Sequence, residues 1–294
     1  MRDEFFRYAI ERHRIYMRRQ ACVPKPWTDD PVLQTSRFTN VYRELDRTTV
    51  WFRENVRDRL RMEVEVLLAT VVFRWFNRTT TGEALFLQRD VEGESAFALF
   101  LDRGEPGILR DAILRYCGSG PYVTGAYTIN TISAPRGLSK LDGVINLIGQ
   151  WMDLHKDWRT FAEGMAATGS MESFCDWVRS PCLGEFMAYE VACDLRWTIL
   201  LERAPDINTW ANVGPGALRG LNRIHGRPVA QGAPQSRTLA EMRDLLEASR
   251  EAWPEGPGWP AWELREVEHT LCEWDKYQRV KEGSGQTRGS FNGR

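Results

Sequence analysis

Arg37, Arg43 and Arg47, with Asn40 and Glu44 between them, recur at a spacing that gathers them on one side of a helix turning about 100° per residue. The same wheel sends Phe38, Val41, Tyr42, Leu45 and Phe52 to the opposite side and leaves Trp51 among the polar group. Guanidinium forks suit phosphate oxygens, and an interleaved carboxylate keeps such forks oriented. Arg37, Asn40, Arg43 and Arg47 are therefore candidates to hold a phosphate, with Glu44 and Trp51 as accessories. The competing reading is the solvated face of an amphipathic helix.

Other residues offer complementary chemistry. Asp206 precedes Gly214-Pro215-Gly216-Ala217, a turn that feeds a helix and presents free N–H groups to an anion, with Arg219 one turn inside. A partly desolvated carboxylate can accept a proton, which makes Asp206 a candidate base; it also stands where a helix N-cap would. Asp194 either serves as the base or is held by Arg196. His269 and Glu273 are four residues apart on a helix expected over about 261–280, as are Cys272 and Lys276, with Glu268 and Asp275 alongside. Surface pairing competes with a role for His269 and Asp275 at a site. As a zinc pair, His269 and Glu273 lack further ligands of matching pattern, and no metal or cofactor is expected.

In Ser180-Pro181-Cys182-Leu183-Gly184-Glu185, a helix ends near Arg179, turns tightly and starts again at Glu185. That is the layout of a helix-hairpin-helix, whose exposed amides can hold a DNA phosphate. Gly184 is the candidate contact, and an ordinary helix turn is the alternative. Arg136 and Lys140, flanking Gly137, are further candidates for phosphate contacts.

The elements that must position these residues are helices. Amphipathic or apolar patterns cover 3–20, a stretch resuming near Leu33 that carries the arginine stripe, 59–77, 94–102, 106–116, 139–153, 156–168 and 171–179. Nothing alternates strand with helix; Tyr122–Thr124 and Tyr127–Ile132 read as extended loop. The run Val64–Phe76 contains Glu65 and Arg74, is too short to span a membrane and reads as a buried helix. The formal charge of −1 argues against a generic basic coat for nucleic acid, while 34 arginines against 5 lysines suit bidentate phosphate contacts and also a GC-rich coding bias. Six scattered cysteines without a CxxC, and no signal peptide, point to free thiols in a reducing cytoplasm.

The hairpin resembles the Leu-Pro-Gly-Val-Gly-x-x-x-Ala motif of helical DNA glycosylases, which carry a catalytic aspartate about twenty residues further on; Asp206 is 22 beyond Gly184. Cys182 replaces the first hairpin glycine, and Phe186 stands where bifunctional glycosylases carry a lysine nucleophile. Four blocks together are similar to the α-glutamyl/putrescinyl thymine pyrophosphorylases, the amino acid:DNA transferases of phage DNA hypermodification. They are Pro26-Trp27-Thr28-Asp29-Asp30-Pro31, Arg37 to Arg47, Asp206 with Gly214-Pro215-Gly216-Ala217, and Glu268 to Tyr277, within a resemblance running from about 5 to 282.

The resemblance implies an all-α, glycosylase-like domain over 1–282, with two lobes around a cleft and the hairpin near 171–202. A disordered tail is expected over 283–294. It implies a transferase that replaces the pyrophosphate of 5-pyrophosphorylmethyl-deoxyuridine in double-stranded DNA with an amino acid such as glycine or glutamate, or a polyamine such as putrescine. A separate kinase would first build the pyrophosphate on 5-hydroxymethyluracil; this chain has no GxxxxGK[ST] loop and is not that kinase. The arginine stripe and Arg219 would hold the departing pyrophosphate, and the target base would be flipped out of the duplex. No membrane is implied, and the protein would work in the cytoplasm of the host. The alternatives are a glycosylase excising a modified base and a non-catalytic DNA-binding module.

Overall fold

Every regular element among the described residues is helical, and many helix ends are legible as caps. In a computed structural model, the chain is described apart from Tyr127, Arg288 and Arg294, and of Thr168 only the backbone. In chain order the helices are α1 (Arg2–Gln20), α2 (Pro31–Thr35), α3 (Arg47–Asn55), α4 (Glu63–Phe76), α5 (Thr79–Gly82), α6 (Ala96–Arg103) and α7 (Pro106–Cys117). They continue with α8 (Lys140–Leu154), α9 (Trp158–Thr168), α10 (Met171–Val178), α11 (Glu185–Leu195), α12 (Pro215–Ile224), α13 (Gln235–Ala252) and α14 (Leu264–Lys281). The class is all-α, as expected. The chain divides into two units: Met1–Asp46 with Asp206–Arg294, and Arg47–Pro205.

The contiguous unit is built around α4. Its residues from Val66 to Phe76 are all buried, and α9 and α11 pack on it. Phe73 stacks on Phe52 with ring centroids 4.3 Å apart. Fully burying side chains of this size contributes about 1.5–3 kcal/mol each. Ser95 caps α6, Ser139 caps α8, and Ser170 and Ser173 form a reciprocal box at α10. Residues 128–132 are loop, and Tyr127 of that expected extended piece lies outside the described residues.

The discontinuous unit is built around α14, whose Val267, Leu271 and Trp274 are fully buried. α12 comes unusually close to it. A Cβ at Gly216 would lie 2.3 Å from Cys272 Sγ, and one at Gly220 would lie 2.7 Å from the Leu271 carbonyl oxygen. Only glycines at these successive turns allow that approach. Asp30 caps α2 by accepting from the Val32 and Leu33 amides at 2.8 and 3.0 Å, and it also accepts the Tyr277 hydroxyl of α14 at 2.6 Å. The Pro26–Pro31 block is thus a structural anchor.

Two expectations are corrected here. The arginine stripe is not one helix: α2 ends at Thr35, residues 37–40 have no regular structure, and a single 3-10 turn covers Arg43–Leu45 before α3 starts at Arg47. Thr39, Asn40, Val41 and Tyr42 are weak helix formers, and their polar groups find tertiary partners instead of an i→i−4 ladder. The terminal tract is not free. The Phe291 and Gly293 amides donate to the carbonyls of Thr35 and Gln34, and Arg37 and Trp27 amides donate to those of Gly289 and Gly293. Phe291 packs on Trp27, so two apolar side chains supply burial that the polar composition of the tract hides. Arg288 and Arg294, also within the expected tail, lie outside the described residues. No described helix is long and apolar enough to cross a membrane.

Candidate functional site

Helix α14 carries two adjacent stripes of ionisable residues in the discontinuous unit. His269, Glu273 and Lys276 meet the loop 37–46, while Glu268, Cys272, Asp275 and Arg279 lie toward α12. The loop is pinned before it meets the helix. Asn40 accepts from Arg12 Nη2 at 2.7 Å, donates to the Leu45 carbonyl at 2.7 Å, and its amide donates to Asp46 Oδ1 at 2.9 Å. Burial raises the Asp46 carboxyl above its usual range against the pull of Arg43, which sits 3.5 Å away. Asn40 is therefore a structural pin with its amide group already engaged, and not the phosphate ligand expected from the stripe.

Thr39 joins loop to helix. Its amide donates to Glu273 Oε2 at 2.9 Å, and its hydroxyl lies 2.8 Å from His269 Nε2. Arg43 Nη1 lies 3.4 Å from His269 Nδ1. Burial, reinforced by Arg43 and Lys276, holds His269 well below the ordinary imidazole range, so the ring is neutral. A guanidinium only donates, so Nδ1 accepts from Arg43 and the ring proton sits on Nε2, facing Thr39. Thr39 Oγ1 then accepts from His269, and its own proton must point elsewhere. Lys276 donates to both Glu273 oxygens at 2.7 and 2.6 Å and lies 5.0 Å from the Phe38 ring centroid.

The other stripe centres on Asp275, which is 0% exposed. Arg219 Nε and Arg279 Nε donate to its Oδ2 at 2.7 and 3.1 Å, and Arg223 Nε donates to Oδ1 at 3.0 Å. Glu282 takes both Nη groups of Arg223 at 2.6 and 3.2 Å. Nearer the start of α12, the Gly214 amide lies 3.4 Å from Glu268 Oε1. Burial, together with Glu268 and Glu273, pushes the Cys272 thiol up to about 12. It is a packing group against Gly216 and not a nucleophile.

Among the expected residues, the structure brings Arg43 together with His269, and Arg219 with Asp275. Glu44 sits in the 3-10 turn beside them. Arg37 is exposed next to Gly289. Asp206 belongs to the same unit but opens a turn and not a helix: its carbonyl accepts from the Thr209 and Trp210 amides, and the Ile207 carbonyl takes the Leu264 amide at the start of α14. Arg47, Trp51, Asp194, Gly184, Arg136 and Lys140 belong to the other unit.

There, Asp194 is 2% exposed and chelated by Arg74, whose Nε and Nη2 both donate at 2.5 Å, while Nη1 reaches Glu190 at 3.2 Å. Its partner is Arg74, not Arg196, which donates to the Glu202 carbonyl. A carboxylate clamped on both oxygens inside a core is a structural ion pair and not an available base. Trp51 stacks on Phe73 at 5.7 Å, and Gly82 packs against its ring. Gly184 is extended at φ −71°, so the joint between α10 and α11 does not need a glycine there. Arg136 is exposed, while the Lys140 ammonium is turned onto the Ile129 carbonyl.

Sequence reasoning missed Thr39, Arg12, Arg223 and Arg279 as members of these clusters. Arg12 had a signal, being a cation among the buried Phe5, Tyr8, Ala9 and Ile15 of α1. Arg219 and Arg223, like Asp275 and Arg279, are four residues apart and share a helix face. Thr39 had no signal, because its partners lie 230 or more residues away. Among the described residues no group of acidic, histidine or cysteine side chains could hold a metal ion.

The family described as "5-hmdU DNA kinase, helical domain" matches residues 1–287. The 5-hmdU DNA kinase of Bacillus phage SP10 is 31% identical over 243 residues, which cover 76% of this chain and 36% of that protein. The chain thus spans little more than a third of the length of the curated relative it matches. No solved structure matches the chain.

Proposed function

Because the chain belongs to the family of the 5-hmdU DNA kinase helical domain, we propose that it acts in thymine hypermodification, as a transferase that replaces the pyrophosphate of 5-pyrophosphorylmethyl-deoxyuridine in DNA with an amine. The observation that carries this reading is the Thr39–Arg43–His269–Lys276 cluster. Arg43 and a hydroxyl whose proton is displaced by a neutral imidazole, with Lys276 held beside them by Glu273, are the donors a departing pyrophosphate needs. In the reaction the amine nitrogen bonds to the exocyclic methylene carbon and the carbon–oxygen bond breaks. Its electron pair leaves on the pyrophosphate, which Arg43, Lys276 and Thr39 receive. The proton lost by the amine goes to a carboxylate, for which Asp206 is the candidate because it lies in the same unit and its turn is tied to the start of α14. The base leaves the duplex to be reached, and Arg136 and the amides beginning α11 at Gly184 are offered as contacts to DNA phosphates.

A second reading has one observation in its favour. The phage relative named as a kinase is nearly three times as long as the stretch matched here, and this chain lacks a GxxxxGK[ST] loop. The helical unit would then present hydroxymethyluracil in DNA to a separate kinase, without chemistry of its own. Incubation with DNA carrying 5-pyrophosphorylmethyl-uracil and a pool of amino acids and polyamines, followed by nucleoside mass spectrometry, decides. An amine-linked nucleoside with released pyrophosphate supports transfer, and Asp206→Asn is then expected to retain DNA binding and lose product. DNA bound but unaltered establishes the presenting role, and abasic sites indicate a glycosylase.

A further inference from the structure

We infer that Arg219 and Arg279, held on the buried carboxylate of Asp275, form a second oxyanion site, separate from the Thr39–Arg43 cluster, that takes a phosphate group. The inference rests on the side chains around Asp275 and not on the transfer reaction. Three guanidiniums converge on one carboxylate, and among the described residues only Arg223 has a second acid, Glu282. The cluster therefore holds three positive charges against two negative ones, in a chain whose formal charge is −1. An excess of cations at a solvent-reaching edge creates a local positive potential that attracts an anion.

The geometry also fixes what that anion meets. Arg219 and Arg279 use their Nε–H on Asp275 Oδ2, and each side chain is 34% exposed. Among the described residues their Nη groups have no hydrogen-bond partner. A guanidinium anchored through Nε presents its paired Nη groups on the far side, in the fork that matches two oxygens of a phosphate. Anchoring also removes rotamer freedom before the ligand arrives, which lowers the cost of binding. The phosphate group belongs either to the DNA backbone or to free phosphate, and the chemistry of recognition is the same.

The test uses the full chain and two probes. One is unmodified duplex DNA titrated across a sodium chloride series; the other is inorganic phosphate, read as a melting-temperature shift at constant ionic strength. If the site holds a backbone phosphate, Arg219→Gln with Arg279→Gln weakens DNA binding about tenfold and flattens the plot of log affinity against log salt by about one unit. If it holds free phosphate, the double variant loses the phosphate-dependent shift and keeps the salt slope. Arg279→Lys, which retains the charge, keeps the salt slope in the first case, and Arg250→Gln on exposed α13 changes neither readout. A double variant that melts like the parent and leaves both readouts unchanged overturns the proposal. Should the double variant fail to fold, single Arg279→Gln reads the same two arms at half the effect.

Discussion

Arg74 and Asp275 each sit at the centre of a buried charge cluster, and the two clusters are opposite in composition. Around Arg74 one guanidinium meets two carboxylates, Asp194 and Glu190, and all three side chains are 6% exposed or less. Around Asp275 one carboxylate meets three guanidiniums, two of which reach solvent. The first cluster is sealed, so removing Arg74 leaves two carboxylates uncompensated in the core, and removing either carboxylate strips the guanidinium of buried hydrogen bonds. The second is sealed only at its centre, and its arms remain available to a ligand. A buried ion pair is therefore a functional clue when part of it is left outward, and a packing device when none is. That distinction moves Asp194, attractive in sequence, out of the candidate chemistry.

The largest expected effect tests the sealed cluster. Asp194→Ala removes the two shortest hydrogen bonds of buried Arg74 and is expected to lower unfolding free energy by about 3–5 kcal/mol, measured by urea unfolding. A loss under about 1 kcal/mol would erase the contrast. Next comes Arg43→Ala on the open side of α14. Turnover of pyrophosphorylated DNA is expected to fall by about 10²–10³, with the melting curve little moved. Equal loss of activity and stability would make Arg43 another packing cation.

A smaller effect addresses how the open cluster is positioned. Gly216→Val places side-chain atoms where Cys272 Sγ already lies and is expected to cost about 1–3 kcal/mol by forcing α12 from α14. Phosphate binding should suffer with it, while Asp194 and Arg74 are untouched. The smallest effect is in pH. Burial lowers the His13 and His269 pKa values in the folded state, so below the ordinary imidazole value of about 6.5 the unfolded chain binds protons that the folded chain does not. Stability contributed by keeping these rings neutral is complete above that pH and falls as pH drops below it, by at most about 1.4 kcal/mol per ring per unit. His13→Phe should flatten the fall in melting temperature between pH 7 and pH 5.5. An unchanged slope would assign it to the carboxylates.

Legibility from sequence followed the range of the interactions. Helices such as α4, α7, α8 and α10 declare themselves through apolar period and a cap within the same few residues. The segment 37–46 carries a helical period as well, yet its polar groups are claimed by Arg12, Glu273 and His269 from distant parts of the chain. Periodicity cannot register such competition. The candidate site was half legible for the same reason: Arg43, His269, Arg219 and Asp275 stood out as residue types, but their pairing did not. Asp194 and Asn40 stood out equally and proved to be engaged internally.

The unit that carries α14 is interrupted in sequence by the whole of the other, since residues 1–46 belong with 206–294. During synthesis the 47–205 segment is contiguous and can fold as it emerges, whereas Phe5 of α1 meets Trp262 and Trp274 only after that segment has been made. The clusters on α14 can thus assemble only after the whole 47–205 segment has been made. A chain that has not yet reached Asp275 carries Arg219 and Arg223 without the carboxylate that holds them.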